Sequence, residues 1–200
     1  MRTIPSTAIV STDDNDLGYM LYGYIPSGGA SLPTTANTFA VGCEITDNST
    51  GFSWVNMGTV AVPVWESKQV MLTASLTAAQ IIAMYTTPVL IIPSVPGKAI
   101  VLDSFEFDLT GTATQFTGGG VVNLQYDSTA NGAGTALHAD IAASVVNNAT
   151  GRVISARRPS DLSAIATASI TGKAVYISNK TAVFATGTGT AVLKIRYHFI

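Results

Sequence analysis

The chain has 200 residues and a formal net charge of -2; 47% of it is hydrophobic and only 11% charged, with a single cysteine, Cys43. The length fits one medium domain, or one domain with a smaller appendage, able to bury a core without metals or disulfides, and one cysteine excludes an intrachain disulfide framework or a cysteine-based zinc cluster. The acidic balance excludes the basic face that nucleic-acid binding needs, and a charge content well below the usual quarter or so points to surface that is covered by neighbours in an oligomer or lattice.

In chain order, Met1 to Val10 lacks the charged start and apolar run of a secretory signal, so synthesis as a soluble cytosolic chain is expected. Residues 1–37 are rich in Ser, Thr, Asp, Gly and Pro, with aromatics at Tyr19, Tyr22 and Tyr24. Isolated apolar residues in turn-prone sequence make a poor core, which predicts an extended arm that packs on something else. Phe39 to Ile45 and Phe52 to Asn56 read as short strands around a turn at Asp47–Gly51, with a second turn at Gly58; a small hairpin module is expected. Thr77-Ala78-Ala79-Gln80 is a capping box that starts one short helix, which Thr87-Pro88 stops.

The remainder reads as β. Val89 to Ile92 is a buried-strand run. In 101–109, Phe105, Phe107 and Leu109 share one face, and Ser104, Glu106 and Asp108 the other. Val122, Leu124 and Tyr126 alternate with Asn123 and Gln125, and Ala174–Ser178 and Ala182–Phe184 follow. In the last strand Leu193, Ile195, Tyr197 and Phe199 face inward, with Lys194, Arg196 and His198 outward. Turn signals separate these runs, so the expectation is a mainly β chain. It comprises an arm and hairpin module for attachment over 1–66, then an antiparallel, jelly-roll-like β-sandwich over 67–200. No apolar run reaches the ~20 residues of a membrane span, because Pro88, Pro93 and Pro96 interrupt the best one.

Catalytic chemistry finds little footing. His138 and His198 are too few and too separated to define a metal site, and Asp13-Asp14-Asn15-Asp16 lacks the Gly and bidentate Glu of a calcium loop. No G-x-S-x-G elbow is present, and Cys43 sits in a strand-like segment that suits an inert thiol. Glu106 and Asp108 lie two apart on one strand face, which solvent-facing alternation explains more simply than a paired-carboxylate site. Gly118-Gly119-Gly120 lacks the Lys-Ser or Lys-Thr of a phosphate loop. The sequons at Asn48, Asn148 and Asn179 carry no meaning without secretion. The expected protein is therefore not an enzyme and takes no cofactor or metal. Tyr19, Tyr22, Tyr24, Trp54 and Trp65 are candidate interface anchors, with a carbohydrate platform as the alternative.

Gly42 to Asp47, Trp54-Val55-Asn56-Met57-Gly58-Thr59 and Pro63-Val64-Trp65 resemble a short module that recurs in phage structural proteins: a glycine-led strand, a turn, and a strand ending in an Asn-x-Gly-Thr corner. Leu76 to Ile81, Thr86 to Pro93 and Pro96 to Ile100 are similar to a β-rich domain of tailed-phage virion proteins, so the likeness covers residues 40–126. The resemblance implies a homo-oligomer, commonly a trimer, on a virion. The leading expectation is a capsid decoration (cement) protein bound to the major capsid protein. The alternative is a tail-fibre or receptor-binding, glycan-binding module. An enzyme acting on polysaccharide is the third reading.

Overall fold

The computed structural model describes residues 20–25, 32, 39–47, 52–110, 114–147, 152–157 and 165–200, with the backbone path alone for 20–25, 47 and 152–157. The chain divides into two compact units: Met1–Gln69 together with His198–Ile200, and Val70–Tyr197. The boundary therefore falls three residues beyond the expected one, and the end of the chain returns to the first unit.

The first unit holds a four-stranded sheet in the order β1-β2-β3-β4, made of β1 (Met20–Ile25), β2 (Phe39–Asp47), β3 (Ser53–Asn56) and β4 (Trp65–Ser67). β2, β3 and β4 pair antiparallel, whereas β1 runs parallel to β2. Part of the segment expected to be an arm is thus a sheet strand; residues 1–19, 26–31 and 33–37 of that arm lie outside the described residues. Phe39, Cys43, Ile45, Trp54, Trp65 and Phe199 are buried. The Phe39 and Trp65 rings meet edge-on at 5.3 Å, and Phe199 lies 4.8 Å from Phe52 and 6.1 Å from Trp54. The Phe199 amide donates to the Ser67 hydroxyl at 2.6 Å, so the final residues are tied by ring packing and by a buried hydrogen bond.

The second unit is built on two four-stranded sheets. One has the order β11-β7-β14-β5, from β5 (Val70–Leu76), β7 (Ile100–Thr110), β11 (Arg152–Arg157) and β14 (Thr190–Phe199); the other is β10-β9-β12-β6, from β6 (Val89–Ile92), β9 (Val122–Tyr126), β10 (Thr135–Ala136) and β12 (Val175–Asn179). A two-stranded ribbon pairs β8 (Thr117–Gly118) with β13 (Phe184–Ala185). Among the described residues the strands of the two sheets alternate along the chain, and two successive ones stay in the same sheet only at the antiparallel β9–β10 pair. Phe105, Phe107, Leu109, Leu193 and Ile195 from one sheet, and Val122, Leu124, Val175 and Ile177 from the other, are essentially inaccessible. Tyr126 of the second sheet donates its hydroxyl proton to the carbonyl of Ile100 in the first, and this is the layering of a β-sandwich.

Three expectations are corrected. Among the described residues there are three short helices, not one: α1 (Ala78–Ala83), α2 (Ala143–Asn147) and α3 (Thr167–Ile170). α1 has its capping box, with Thr77 Oγ1 accepting from the Gln80 amide at 3.2 Å and Gln80 Oε1 accepting from the Thr77 amide at 2.9 Å. α2 and α3 are about one turn each, too short to leave a 3.6-residue period, and α3 has no side-chain cap. Asp108 is buried and does not stand with Glu106 on a solvated face; Glu106 instead bridges Lys194 at 2.7 Å. All five residues of β9 are buried, because its outer face is roofed by the following loop: Gln125 donates to the carbonyls of Asp127 and Thr129 and accepts from the Gly134 amide.

Candidate functional site, an apolar hairpin tip

The segment 57–64 joins β3 to β4 and shows the densest exposed apolar surface among the described residues. Met57 is 60% exposed, Val62 65% and Val64 51%, whereas the other large exposed hydrophobics among the described residues are scattered singly. Exposed apolar side chains are ordinary one at a time; grouped on one loop they mark a surface that is covered in use.

The loop is held by its backbone and by one buried amide. Met57 N donates to Val64 O at 2.7 Å, and Thr59 N to Val62 O at 3.0 Å, with the Thr59 hydroxyl accepting from Val62 N. Beneath them Asn56 is fully buried and uses its whole hydrogen-bonding capacity. Its Nδ2 donates to the carbonyls of Phe39 and Ala40 at 3.2 and 3.1 Å, and its Oδ1 accepts from Gly58 N and Val64 N, both at 3.0 Å. The side chain thus fastens both ends of the loop to the start of β2. Gly58 is required by space: a Cβ there would lie 2.4 Å from Val62 O and 2.6 Å from Val64 N. The Asn-x-Gly-Thr corner read in the sequence is this clamp, and the three side chains it displays project from a backbone held by these hydrogen bonds.

The aromatic candidates distribute differently. Tyr19 lies outside the described residues; Tyr22 and Tyr24 occupy β1, where they register against Glu44 and Thr46. Trp54 and Trp65 are 3% and 6% exposed and pack inside the first unit, so their rings build its core and are not displayed to a partner. The exposed aliphatic tip went unremarked in the sequence, where Val62 and Val64 look like interior residues; only the Asn56 contacts reveal that they are held outward.

Other candidates do not assemble chemistry. His138 is buried in the second unit; its Nε2 accepts from the Leu124 amide at 3.0 Å and its ring stacks on Phe105 at 4.8 Å, which makes it a core histidine. Among the described residues no three His, Cys, Asp or Glu side chains lie close enough to hold a metal ion, and no helix is long and apolar enough to cross a membrane. A shallow depression of about 410 Å³ beside α1 is lined by Ala79, Gln80, Ala83, Thr87, Pro88 and Val89, with no ionisable group. Burial pushes the Cys43 thiol up to about 11, with Glu44 adding to the effect, so it is a poor nucleophile. The sequon at Asn179 falls on a buried side chain, and Asp13–Asp16 lies outside the described residues. Comparison with protein-family models, with curated proteins and with solved structures returns no match to this chain.

Proposed function

We propose that the chain is a non-enzymatic structural protein of a tailed-phage virion, a capsid decoration protein that binds the major capsid protein lattice as a homo-oligomer. The observation that carries this reading is the preorganised tip of Met57, Val62 and Val64. Covering a Val or Met side chain contributes on the order of 1–2 kcal/mol when half its surface is still free to be buried. A loop already fixed by Asn56 loses little conformational entropy on docking, so most of that contribution reaches the binding free energy. One tip is weak, but copies repeated over a lattice act multivalently, as cement requires.

The low charge content supports the same reading, since surface that meets neighbours need not be solvated by Lys and Glu. We further read the second unit as a jelly roll: its sheet orders β5-β14-β7-β11 and β6-β12-β9-β10, with the chain alternating between them, are those of a doubled Greek key. The burial of Trp54 and Trp65 takes two rings away from the glycan platform that a tail-fibre module would use.

Immunogold labelling of purified virions with antibody raised against residues 67–200 locates the protein. Gold spread over the heads is the expected outcome. Gold confined to the tail tip transfers the role to host recognition, and particles without gold remove the virion assignment.

A further inference from the structure

β5 is an edge strand, and its only strand neighbour among the described residues is β14. The two pair antiparallel through seven consecutive positions, from Ala191–Leu76 to Tyr197–Val70, with no register shift. The strand, Val-Met-Leu-Thr-Ala-Ser-Leu, has no charged residue and no proline. Sheet edges are normally protected by shortness, a bulge, proline or a charged side chain, because an unpaired row of backbone N–H and C=O groups is a template for another strand. The remaining edges of the two sheets carry such protection: β10 has two residues, β6 meets its neighbour with an irregular register, and β11 carries Arg152 and Arg157 at its ends.

The side chains reinforce the point. Val70, Leu72, Ala74 and Leu76 lie opposite Tyr197, Ile195, Leu193 and Ala191, and therefore share the core face of the sheet. Those four β14 residues are almost completely buried, whereas Val70, Leu72 and Ala74 are only half-buried. The apolar core face thus runs out to the edge and stops uncovered. On the other face Met71 is 66% exposed, flanked by exposed Thr73 and Ser75.

We propose that this edge pairs with the same edge of a second copy, antiparallel across a twofold axis at Thr73, joining two four-stranded sheets into one of eight. The sequence complements itself about that position. Thr73 meets Thr73, a favourable cross-strand pair; Leu72 meets Ala74 and Val70 meets Leu76, extending the core face; Met71 meets Ser75 on the outer face. With no charge between 70 and 76, no like-charge repulsion opposes the match, and the contact is isologous and closes at two copies. The inference stands apart from the capsid role and replaces the threefold association implied by resemblance with one built from pairs.

Sedimentation equilibrium of the full chain tests it. The wild-type chain is expected at twice its 20.7 kDa mass, or at a higher even multiple. Thr73→Lys, which sets two ammonium groups face to face on an exposed strand position, is expected to sediment at half the wild-type mass with an unchanged circular dichroism spectrum. A wild-type monomer or trimer overturns the proposal, as does an even oligomer that a folded T73K chain retains. Should T73K not fold, Thr73→Cys in a Cys43→Ser background decides the matter under mild oxidation. A covalent dimer at position 73 but not from Ser75→Cys supports the twofold register, and equal or absent cross-linking overturns it.

Discussion

The Oδ1 atom of Asn56 accepts the Val64 amide proton at 3.0 Å, across eight residues of chain, while the same atom holds the Gly58 amide at an equal distance. One buried side chain therefore closes the loop that displays Met57, Val62 and Val64 and, through its Nδ2, ties that loop to the carbonyls of Phe39 and Ala40. Interior satisfaction and outward apolar display are two faces of a single residue's geometry. Removing it is expected to be costly: Asn56→Ala leaves two part-buried amide donors and two carbonyls without their partner, empties a buried site and should lower stability by roughly 2–4 kcal/mol. Urea unfolding followed by tryptophan fluorescence reports it directly, since Trp54 and Trp65 lie in the same unit; a loss under about 0.5 kcal/mol contradicts the clamp.

Gly58→Ala probes the same corner by steric means. The added methyl group must displace the Val62 carbonyl or the Val64 amide, both backbone, and so cannot be relieved by a rotamer change. A loss of about 1–3 kcal/mol is expected, with Met57 and Val64 no longer held in register. Thermal unfolding of the variant beside wild type measures it, and an unchanged midpoint would mean that the loop adapts.

Alkaline pH should weaken the second unit in a defined window. Burial pushes Tyr126 up to about 12 and raises Tyr197 as well. A phenol whose value is raised in the fold contributes stability that is fully present below its unfolded value near 10 and is lost as pH rises through about 12. For Tyr126 the decline should reach roughly 2–3 kcal/mol across that window. Urea titrations at pH 9, 10 and 11 should show stability falling over the last step, less steeply in Tyr126→Phe; a flat profile contradicts the burial of the hydroxyl against Ile100 O.

How much of this was legible in the sequence follows from contrast between neighbours. Phe105, Phe107 and Leu109 alternate with polar residues, and Leu193, Ile195, Tyr197 and Phe199 do the same, so both strands and their inward faces could be read directly. The capping box at Thr77 and Gln80 was equally plain. β5 was not legible because Met71 and Leu72 are both apolar while only Leu72 turns toward the core, which erases the period-2 signal. Asp108 misled for the opposite reason: its place in the alternation was right, but the strand face that leaves Glu106 accessible is covered at Asp108. The hairpin tip was the hardest, since solvent-exposed valines have no sequence signature; what could have indicated them is the Asn56–Gly58 spacing, whose meaning emerges only when the four hydrogen bonds are counted.

Cys43 offers a test of the first unit's integrity. With its thiol value near 11, about one part in a thousand is thiolate at pH 8, against roughly a quarter for a free cysteine. Reaction with a disulfide reagent should therefore be on the order of 100-fold slower in the native chain than in urea. Equal rates in the two conditions would show that β2 is open.

The most direct measurement of the central claim is co-sedimentation of the purified chain with phage heads stripped of it, comparing wild type with Val62→Asp and Val64→Asp. Both residues point into solvent, so the variants should fold and melt as wild type does. The predicted result is that wild type pellets with the heads and that each variant binds at least about tenfold more weakly, a loss of ~1.4 kcal/mol or more per tip. Equal pelleting of wild type and of both variants would contradict attachment through the apolar tip.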